Sequence, residues 1–370
     1  MYWIPVILVL PYFFILIGIW LNLRKINQDV LQSFKSVYVS VIVPCRNEES
    51  HLPFLLDDLA RQDYPCELFE VLVVDDNSID STSKIAANFS GIRNLSVIRN
   101  TGTGKKSAIR TGINVSRGQL IITTDADCRM KEKWMKTISS FFAEHKPDML
   151  ICPVQLENKS GMSGRLQELE FLSLQGITAG TSDSGNATMC NGANLSFSKE
   201  AYFKHTGNLH DEIISGDDIF FLQSLKKESG SKIMWLESID AMVTTASSTG
   251  IKEFIKQRKR WISKGRAYND RYTILLAIVT FVTNFLLVTL LFASMFNQVF
   301  FIMLVAAFMV KAIPDFLILF NTSRRYKRKS LMKWFLPAEV IYPVYVTVVT
   351  FFYLFTSKEQ IISSPSRKGT

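Results

Sequence analysis

Residues 69–76 read FEVLVVDD, and residues 119–127 read QLIITTDAD. In both stretches, a short run of apolar and β-branched residues ends in two closely spaced aspartates. Such runs are typical of strands that are buried on both faces of a parallel sheet. Carboxylates that follow these strands lie at the C-terminal ends, where open α/β sheets place their ligand sites. The stretches therefore predict an acidic site at one edge of an α/β sheet, formed by Asp75, Asp76, Asp125 and Asp127.

Strand and helix patterns alternate from Tyr38 to about Pro153. This β-α-β alternation predicts a mostly parallel sheet with helices on both faces, that is, an α/β domain. Beyond Pro153 the pattern predicts a long helix near residues 166–177, a polar stretch at 180–194 and a helix at 217–226. Residues 250–271 combine an apolar face with several lysines, which is typical of a helix that lies on a membrane surface.

Four apolar runs are long enough to span a bilayer, which takes about 20 residues. They cover residues 2–21, 272–296, 298–320 and 335–355. For the first run we expect an uncleaved anchor rather than a signal peptide, because no basic region precedes it and no small-residue cleavage site follows it. Pro337 and Pro343 interrupt the last run, so a re-entrant or interfacial segment is an alternative there.

Basic residues indicate the orientation of the chain. Arg24 and Lys25 follow the first run, and a cluster of cations occupies 324–329 between the third and fourth runs. Because positive residues near membrane ends stay in the cytoplasm, the segment between the first two runs is predicted to be cytosolic, on the inner face of the cytoplasmic membrane. We expect the following domains: an anchor at 1–25, a cytosolic α/β domain at 38–249, an interface helix at 250–271, transmembrane helices at 272–356 and a tail at 357–370.

The composition narrows the function classes. The net charge of +9 is explained by cytoplasmic loops that face anionic lipid. Nucleic-acid binding is the other interpretation of a basic chain, but no recognition motif supports it, and we expect no nucleic-acid partner. The five cysteines form no C-x-x-C pair, so reduced thiols are expected rather than a disulfide framework or a zinc site.

Asp125 and Asp127 are two residues apart, a spacing that can aim both carboxylates at one point. Mg²⁺ commonly binds one or two carboxylates together with substrate phosphates. Bound there, such a cation would neutralise a diphosphate leaving group. The alternative is a surface turn with two solvated aspartates. The apolar strand before the pair and the other acidic clusters favour the metal site.

Three further segments are candidates for a nucleotide pocket. Residues 75–78, DDNS, can accept hydrogen bonds from a base or a ribose, or can cap the next helix. Residues 44–49, PCRNEE, occupy the first strand-to-helix turn, although the two glutamates also suit a helix start. Residues 102–107, GTGKKS, lack the P-loop spacing, but the glycines can present Lys105 to phosphates; a solvated loop is the alternative.

Asp217 and Asp218 open a predicted helix. A carboxylate at this place can accept the proton of an attacking hydroxyl, or can simply cap the helix. Residues 257–261, QRKRW, combine guanidinium groups that suit phosphate with an indole that stacks on sugar rings. The alternative for this segment is an amphipathic interface helix with snorkelling cations.

Taken in order, these motifs resemble the family 2 glycosyltransferases with a GT-A fold, and in particular the membrane-bound branch that includes cellulose, chitin and hyaluronan synthases. The resemblance covers about residues 38–265. The motifs that carry it are VIVPCRNEE (41–49), VVDDNS (73–78), TDAD (124–127), NGAN (191–194), GDD (216–218) and QRKRW (257–261).

The resemblance implies an inverting transfer from a nucleotide-diphosphate sugar, such as a UDP-sugar, to a lipid, lipid-linked or growing glycan acceptor. It implies Asp218 as general base, Asp125 and Asp127 as ligands of Mg²⁺ or Mn²⁺, and an acceptor pocket beside the 191–194 stretch. The residues expected to bind the nucleotide sugar are Pro44, Arg46, Glu48, Asp75, Asp76, Lys105, Asp125 and Arg260. Those expected to bind the acceptor are Asn194, Asp217, Gln257 and Trp261.

The chain departs from the polymer-conducting synthases in one respect, because it has fewer C-terminal membrane segments. Transfer of one sugar or a few to a lipid-linked acceptor therefore fits as well as secretion of a long polymer. Partner subunits of a glycan-assembly system are also conceivable. The alternative from another class is a non-catalytic membrane scaffold that accompanies a polysaccharide synthase; the ordered carboxylates argue against it.

Overall fold

The computed structural model describes residues 3–27, 34–157, 161–205, 207, 216–247, 250, 253–255, 257–258, 261 and 268–355. The chain divides into two compact units. The helical unit comprises Met1–Ile26, Asn158–Thr188 and Ser247–Ser363, and the sheet unit comprises Asn27–Glu157, Met189–Ala246 and Ser364–Thr370.

The helices are α1 (Ile4–Lys25), α2 (Leu52–Ala60), α3 (Thr82–Asn88), α4 (Lys105–Val115), α5 (Trp134–His145), α6 (Gly161–Asp183), α7 (Lys199–His205), α8 (Asp217–Lys227), α9 (Arg271–Ser294), α10 (Gln298–Arg325) and α11 (Phe335–Phe355). The strands are β1 (Val39–Cys45), β2 (Phe69–Asp75), β3 (Leu95–Arg99), β4 (Leu120–Thr123), β5 (Arg129–Met130), β6 (Met149–Ile151), β7 (Val154–Glu157), β8 (Leu195–Ser198), β9 (Ile233–Trp235) and β10 (Val243–Ala246). Short 3₁₀ segments cover Gly192–Asn194 and Lys329–Trp334.

The sheet unit is built on a seven-stranded sheet with the order β3-β2-β1-β4-β8-β6-β9. The strands β3, β2, β1 and β4 run parallel, as the alternation of patterns predicts. The apolar side chains of β1, β2 and β4 are almost wholly buried, which explains why the sequence shows continuous apolar runs rather than alternation, whereas those of the edge strand β3 are half-buried. The structure confirms a mostly parallel sheet, in which β8 pairs antiparallel with both β4 and β6. The sheet is therefore mixed.

A buried carboxylate ties the N-terminal ends of the central strands together. Glu70 accepts a hydrogen bond from the Ser40 hydroxyl at 2.6 Å and one from the Arg117 Nε at 2.9 Å. The backbone N–H of Gly118 donates to the same Ser40 hydroxyl at 2.8 Å. Since a buried charge is costly unless it is paired and hydrogen-bonded, this network fixes β2, β1 and the approach to β4 at the end opposite to the acidic clusters.

A second, three-stranded sheet has the order β5-β10-β7. β10 pairs antiparallel with β5 and parallel with β7. β5 begins two positions after Asp127, so this small sheet is connected directly to the Asp125–Asp127 turn. It also brings Thr245 of β10 next to Asp127.

The helical unit contains four helices that are long and apolar enough to span a membrane: Ile4–Lys25, Arg271–Ser294, Gln298–Arg325 and Lys329–Phe352. The last of these is one continuous helix from Phe335 onward, although Pro343 lies inside it. Helix α6 is longer than the sequence predicts, because it begins at Gly161 and because residues 180–183 of the polar stretch continue it.

Charged side chains are paired inside this unit. Lys311 is fully buried; its ammonium contacts Asp315 at 2.7 Å and also contacts Glu339 of α11. The hydroxyl of Tyr12 in α1 donates to Asp315 at 2.7 Å. Lys311 and Asp315, four positions apart in α10, are thus part of a larger network that joins α1, α10 and α11. The helical pairing follows the usual geometry of side chains four residues apart.

Candidate active site

The acidic clusters meet at the C-terminal edge of the parallel strands. The chain runs from β1 outward to β2 and β3 and then returns to add β4 on the other side of β1. The order of strands therefore reverses between β1 and β4, and such a reversal opens a crevice where α/β sheets bind ligands. Pro44 and Arg46 lie at the end of β1, and Asp125 lies just beyond β4.

The loops that follow β1 and β2 are joined by hydrogen bonds. The backbone N–H of Asn47 donates to the Ser78 hydroxyl at 3.0 Å, and that of Glu48 donates to the Thr82 hydroxyl at 2.7 Å. Asn47 and Asn77 both have a φ of 56°, a left-handed conformation that asparagine tolerates better than most residues. The Glu48 carboxylate contacts His51 at 3.0 Å. These hydrogen bonds hold the loops after β1 and β2 together at one side of the crevice.

Asp76 is buried and has several protein partners. Its carboxylate accepts hydrogen bonds from Gly104 N–H at 2.9 Å and from the Asn100 side chain at 2.7 Å. The Arg46 guanidinium approaches the same carboxylate to 3.6 Å. A negative group is favourable at the N-terminus of α4, where Gly104 is the cap residue with a φ of 89°. Asp76 thereby fixes the glycine loop that presents Lys105.

Asp75 has a local partner in the structure. Its carboxylate accepts a hydrogen bond from Ser78 N–H at 3.1 Å, which closes a turn directly after β2. The alternative role of these residues as caps of the next helix is not realised, because α3 starts at Thr82 with Ser81 as its cap residue. It is Asp80 that accepts hydrogen bonds from Thr82.

Lys105 is paired with Asp125 and lies in the electrostatic field of two further aspartates. Its ammonium contacts the Asp125 carboxylate. Partial removal from water by itself lowers the pKa of Lys105, but the negative charges of Asp125, Asp217 and Asp218 outweigh this effect and raise the pKa above its ordinary value. Lys105 is therefore a fixed cation beside the carboxylates of two different elements. A cation so placed suits a phosphorylated ligand.

Asp218 lies in the first turn of α8, and two backbone N–H groups hold its carboxylate. Gly192 donates to Oδ2 at 3.1 Å, and Ile219 donates to Oδ1 at 2.8 Å. The cap residue of this helix is Gly216, in a left-handed conformation with a φ of 102°, so neither aspartate serves as the cap that the sequence alternative proposed. A methyl group built on Gly192 would lie 3.7 Å from Asp218 Oδ2 and 3.9 Å from Lys105 Nζ.

Asp127 is the more enclosed member of the Asp125–Asp127 pair. The Thr245 hydroxyl donates to its carboxylate at 3.1 Å. Burial, followed by the negative charge of Asp125, raises the pKa of Asp127 above its ordinary value. Two hard oxygen donors that repel each other fit Mg²⁺ or Mn²⁺. Within the described parts of the chain no group of three or more His, Cys, Asp or Glu side chains could hold a metal, so the remaining ligands would be phosphate oxygens and water.

Asn194 lies inside the protein rather than on the wall of the crevice. It is fully buried; its amide donates to the carbonyls of Pro153 at 2.7 Å and Ala241 at 2.8 Å. Its carbonyl accepts a hydrogen bond from the Trp134 indole at 3.0 Å. The acceptor contact expected of Asn194 stays a prediction, and the structure gives this side chain an internal bracing role.

Three predicted site residues remain, all from the QRKRW segment (257–261). Gln257 and Trp261 are half-buried, whereas Arg260 lies outside the described residues. Between them, Arg258 is buried with its guanidinium 4.2 Å from the centre of the Trp261 ring. Arg258 also donates to Glu170 of α6 at 2.7 Å. The binding roles of Gln257, Arg260 and Trp261 stay predictions.

Some residues of the site had no signal in the sequence. Asn100 matters to the site because its side chain donates a hydrogen bond to Asp76. Thr245 donates to Asp127, which lies 118 positions earlier in the chain. Gly192 belongs to a motif that the sequence singles out, but its hydrogen bond to Asp218 depends on the packing of two distant segments. Contacts between distant segments leave no trace in residue spacing.

Residues 40–205 match the family described as Glycosyl transferase family 2. The matched region begins within β1, covers β2 to β4 and continues through β8 and α7, and so includes the predicted site residues from Pro44 to Asn194. The α8 aspartates follow the matched region in sequence, and Asp218 contacts it by accepting a hydrogen bond from the Gly192 N–H.

Curated relatives are similar to parts of this chain. Dolichyl-phosphate beta-glucosyltransferase of Mus musculus is 40% identical over 101 residues, which are 24% of this chain and 31% of that protein. Undecaprenyl-phosphate 4-deoxy-4-formamido-L-arabinose transferase of Proteus mirabilis is 40% identical over 93 residues, 24% of this chain and 28% of that protein. Poly(ribitol-phosphate) beta-N-acetylglucosaminyltransferase TarS of Staphylococcus aureus is 32% identical over 125 residues, 33% of this chain and 22% of that protein. The chain thus spans less than a third of each relative.

One solved structure is similar over nearly the whole chain. The mannosyltransferase PcManGT from Pyrobaculum calidifontis, in complex with GDP-Man and Mn²⁺, superposes with a TM-score of 0.59 at 18% sequence identity. The superposition covers 96% of this chain and 99% of that protein. The likeness establishes the fold: a GT-A-like α/β fold with a mostly parallel central sheet, together with four long apolar helices that could span a membrane.

Proposed function

We propose that this protein transfers a sugar from a nucleotide-diphosphate sugar to a lipid-phosphate or glycan acceptor at a membrane. The observation that carries the proposal is that the Lys105 ammonium contacts Asp125 and that Lys105 Nζ and Asp218 Oδ2 both lie within 4 Å of the Cβ position of Gly192, at the C-terminal edge of the parallel strands. A fixed cation beside carboxylates provides both a phosphate contact and a proton acceptor within one crevice.

The transfer we propose proceeds with inversion. An acceptor oxygen forms a bond to the anomeric carbon of the donor while the bond from that carbon to the diphosphate oxygen breaks. The nucleoside diphosphate leaves with the electron pair, and the Asp218 carboxylate takes the acceptor proton. Lys105 and Arg46 stabilise the negative charge of the diphosphate. A divalent cation held by Asp125 and Asp127 would offset that same charge when bound.

The acceptor class is suggested by the relatives. The mouse enzyme is named for dolichyl phosphate and the Proteus mirabilis enzyme for undecaprenyl phosphate, both polyprenyl phosphates, and the Staphylococcus aureus enzyme is named for poly(ribitol-phosphate). The four apolar helices would keep the protein beside lipid-linked acceptors. We therefore favour transfer of one sugar or a few. As further parts of the proposal, the site faces the cytosol, the donor is a UDP-sugar, and the protein is related to the membrane-bound synthases.

The test is release of UDP by the full chain in nanodiscs that contain polyprenyl phosphate, with a panel of UDP-sugars and GDP-mannose. We expect at least one donor to be consumed, and mass spectrometry to find the sugar on the lipid. Asp218→Asn should lower kcat about 10² to 10⁴-fold, the usual contribution of a positioned general base. Full activity of this variant would refute the base assignment.

Removal of divalent cations by a chelator tests the proposed metal site independently of the proposed sugar transfer. EDTA should stop turnover, and added Mn²⁺ or Mg²⁺ should restore it; turnover that persists in EDTA would remove the metal from the proposal. Absence of nucleotide-sugar binding by calorimetry, together with no turnover of any donor, would favour the alternative of a non-catalytic scaffold.

A further inference from the structure

The orientation of Asp218 depends on a segment far from it in sequence. One of its two N–H partners, Ile219, is its neighbour in α8, but the other, Gly192, precedes it by 26 positions. A carboxylate that accepts two N–H bonds through different oxygens has a fixed plane. The Gly192 N–H therefore decides which way the Oδ2 of Asp218 faces.

Gly192 opens a 3₁₀ turn that has its own internal bonds. The Asn191 side chain accepts a hydrogen bond from Ala193 N–H at 3.0 Å, and the Asn191 carbonyl accepts one from Asn194 N–H at 3.0 Å. A single 3₁₀ turn is a weak element by itself, because its hydrogen bonds are poorly aligned. It needs an external anchor to hold Gly192 in place.

Asn194 is that anchor. Both N–H groups of its amide and its carbonyl oxygen are bonded, to Pro153, Ala241 and Trp134, at distances between 2.7 and 3.0 Å. These partners belong to three different segments of the sheet unit: the end of β6, the approach to β10 and the start of α5. The amide of asparagine supplies two donors and an acceptor in one plane. An aspartate here would face two carbonyls with no donor.

We propose that Asn194 is a positioning residue, which acts through the turn and the Gly192 N–H to orient Asp218, and that it does not touch the acceptor. The proposal rests on the proposed function, in which Asp218 accepts the proton of the acceptor. A substitution of Asn194 should therefore slow the chemical step and leave the binding of the nucleotide unchanged.

A matched pair of variants tests this assignment. Asn194→Ser removes the amide, and Asn94→Ser removes a similar amide that bridges the carbonyls of Cys66 and Phe69 at 3.1 and 3.0 Å, at the opposite end of the sheet. We expect Asn194→Ser to lower kcat at least tenfold with the Kd of UDP within twofold of wild type. Asn94→Ser should lower the melting temperature and leave kcat within twofold.

Trp134→Phe is a milder second variant, because it removes only the indole donor to Asn194. It should lower kcat by less than Asn194→Ser does and keep the Kd of UDP. A kcat of Asn194→Ser equal to that of wild type would overturn the proposal. So would a loss of UDP affinity as large as the loss of kcat, since that would indicate general damage to the domain.

Hydrogen exchange provides a measurement that does not depend on turnover. The Gly192 amide, followed at residue resolution by mass spectrometry, should exchange faster than wild type in both Asp218→Ala and Asn194→Ser, and at the wild-type rate in Asn94→Ser. Unchanged protection of Gly192 in Asn194→Ser would refute the positioning role. If the wild type turns over no donor, the proposed function fails, and the exchange result still decides whether Asn194 controls the Gly192 N–H.

Discussion

At the scale of single residues, the crevice is organised by groups that orient other groups. Asp76 holds Gly104 and so the start of α4, which carries Lys105. Gly192 holds Asp218, and Thr245 holds Asp127. In each of these contacts a neutral N–H or O–H group donates a hydrogen bond to a carboxylate. Such bonds to a charged acceptor are strong and keep the carboxylate oriented in a partly buried site.

The backbone at Gly192 lies close to the proposed reaction site. A methyl group there would be 3.7 Å from Asp218 Oδ2 and 3.9 Å from Lys105 Nζ, both ordinary contact distances. We therefore predict that Gly192→Ala folds normally but lowers kcat/KM at least tenfold, because the methyl group takes space between the two side chains. The measurements are the melting temperature and the UDP-release assay. A variant with wild-type kcat/KM would show that no ligand passes close to this residue.

At the scale of elements, one buried carboxylate joins α2 to β5. Asp58 is 6% exposed and accepts hydrogen bonds from Arg129 Nε at 2.6 Å, Arg61 at 2.8 Å and Met130 N–H at 3.1 Å. Burial by itself raises the pKa of Asp58, but the hydrogen bonds from Arg129, Met130 and Arg61 outweigh it and lower the pKa below its ordinary value. The folded state therefore favours the charged form.

This shift predicts how stability depends on pH. A lowered folded pKa stabilises the fold above the unfolded value of about 3.9, and the contribution is lost as pH falls through the folded value. At neutral pH, Asp58→Asn should lower the free energy of unfolding by about 1.5 to 3 kcal/mol, and with it the melting temperature. The difference from wild type should shrink below about pH 4. A difference that stays constant down to pH 3 would contradict the ion-pair explanation.

In the helical unit, α1 and α6 approach each other closely at a glycine. A Cβ atom on Gly180 would lie 2.5 Å from the backbone carbonyl oxygen of Ile19, which has no freedom to move away. Gly180→Ala should therefore destabilise this unit by about 1 to 3 kcal/mol, as overpacking does. Gly18 of α1 has nothing within 4 Å of its Cβ position, so Gly18→Ala is the matched control and should be neutral. Equal melting temperatures of the two variants would contradict the close approach.

At the scale of the whole molecule, labelling of a single cysteine thiol can test the predicted orientation of the protein in the membrane. All five cysteines are free, and Cys66 is exposed, whereas Cys45, Cys128 and Cys152 are buried and Cys190 is half-buried. The basic residues at 324–329 predict that the sheet unit is cytosolic. An impermeant maleimide should then label Cys66 in inverted vesicles and leave it unlabelled in right-side-out vesicles. Cys66→Ser is the control that removes the signal. Labelling from the outer side would refute the orientation.

Much of this architecture is predictable from the sequence, because it depends on local patterns. The apolar runs at 69–74 and 119–122 become buried strands of the parallel part of the sheet, and the four long apolar runs become helices. The antiparallel direction of β8 has no signal in the sequence, because a run of four residues carries no information on strand direction. The length of α6 was missed because polar residues in its last turn resemble a loop.

The sequence by itself determined the class of sheet, the membrane helices and the identity of the acidic residues that end the strands. Those properties follow from the side-chain period, the length of apolar runs and the chemistry of carboxylates, all of which are local. Only the tertiary structure decided which groups surround each carboxylate: Gly104 and Asn100 around Asp76, Thr245 beside Asp127, and Gly192 beside Asp218. These contacts join segments between 24 and 118 positions apart, and their geometry is set by the packing of the whole domain rather than by the spacing of residues.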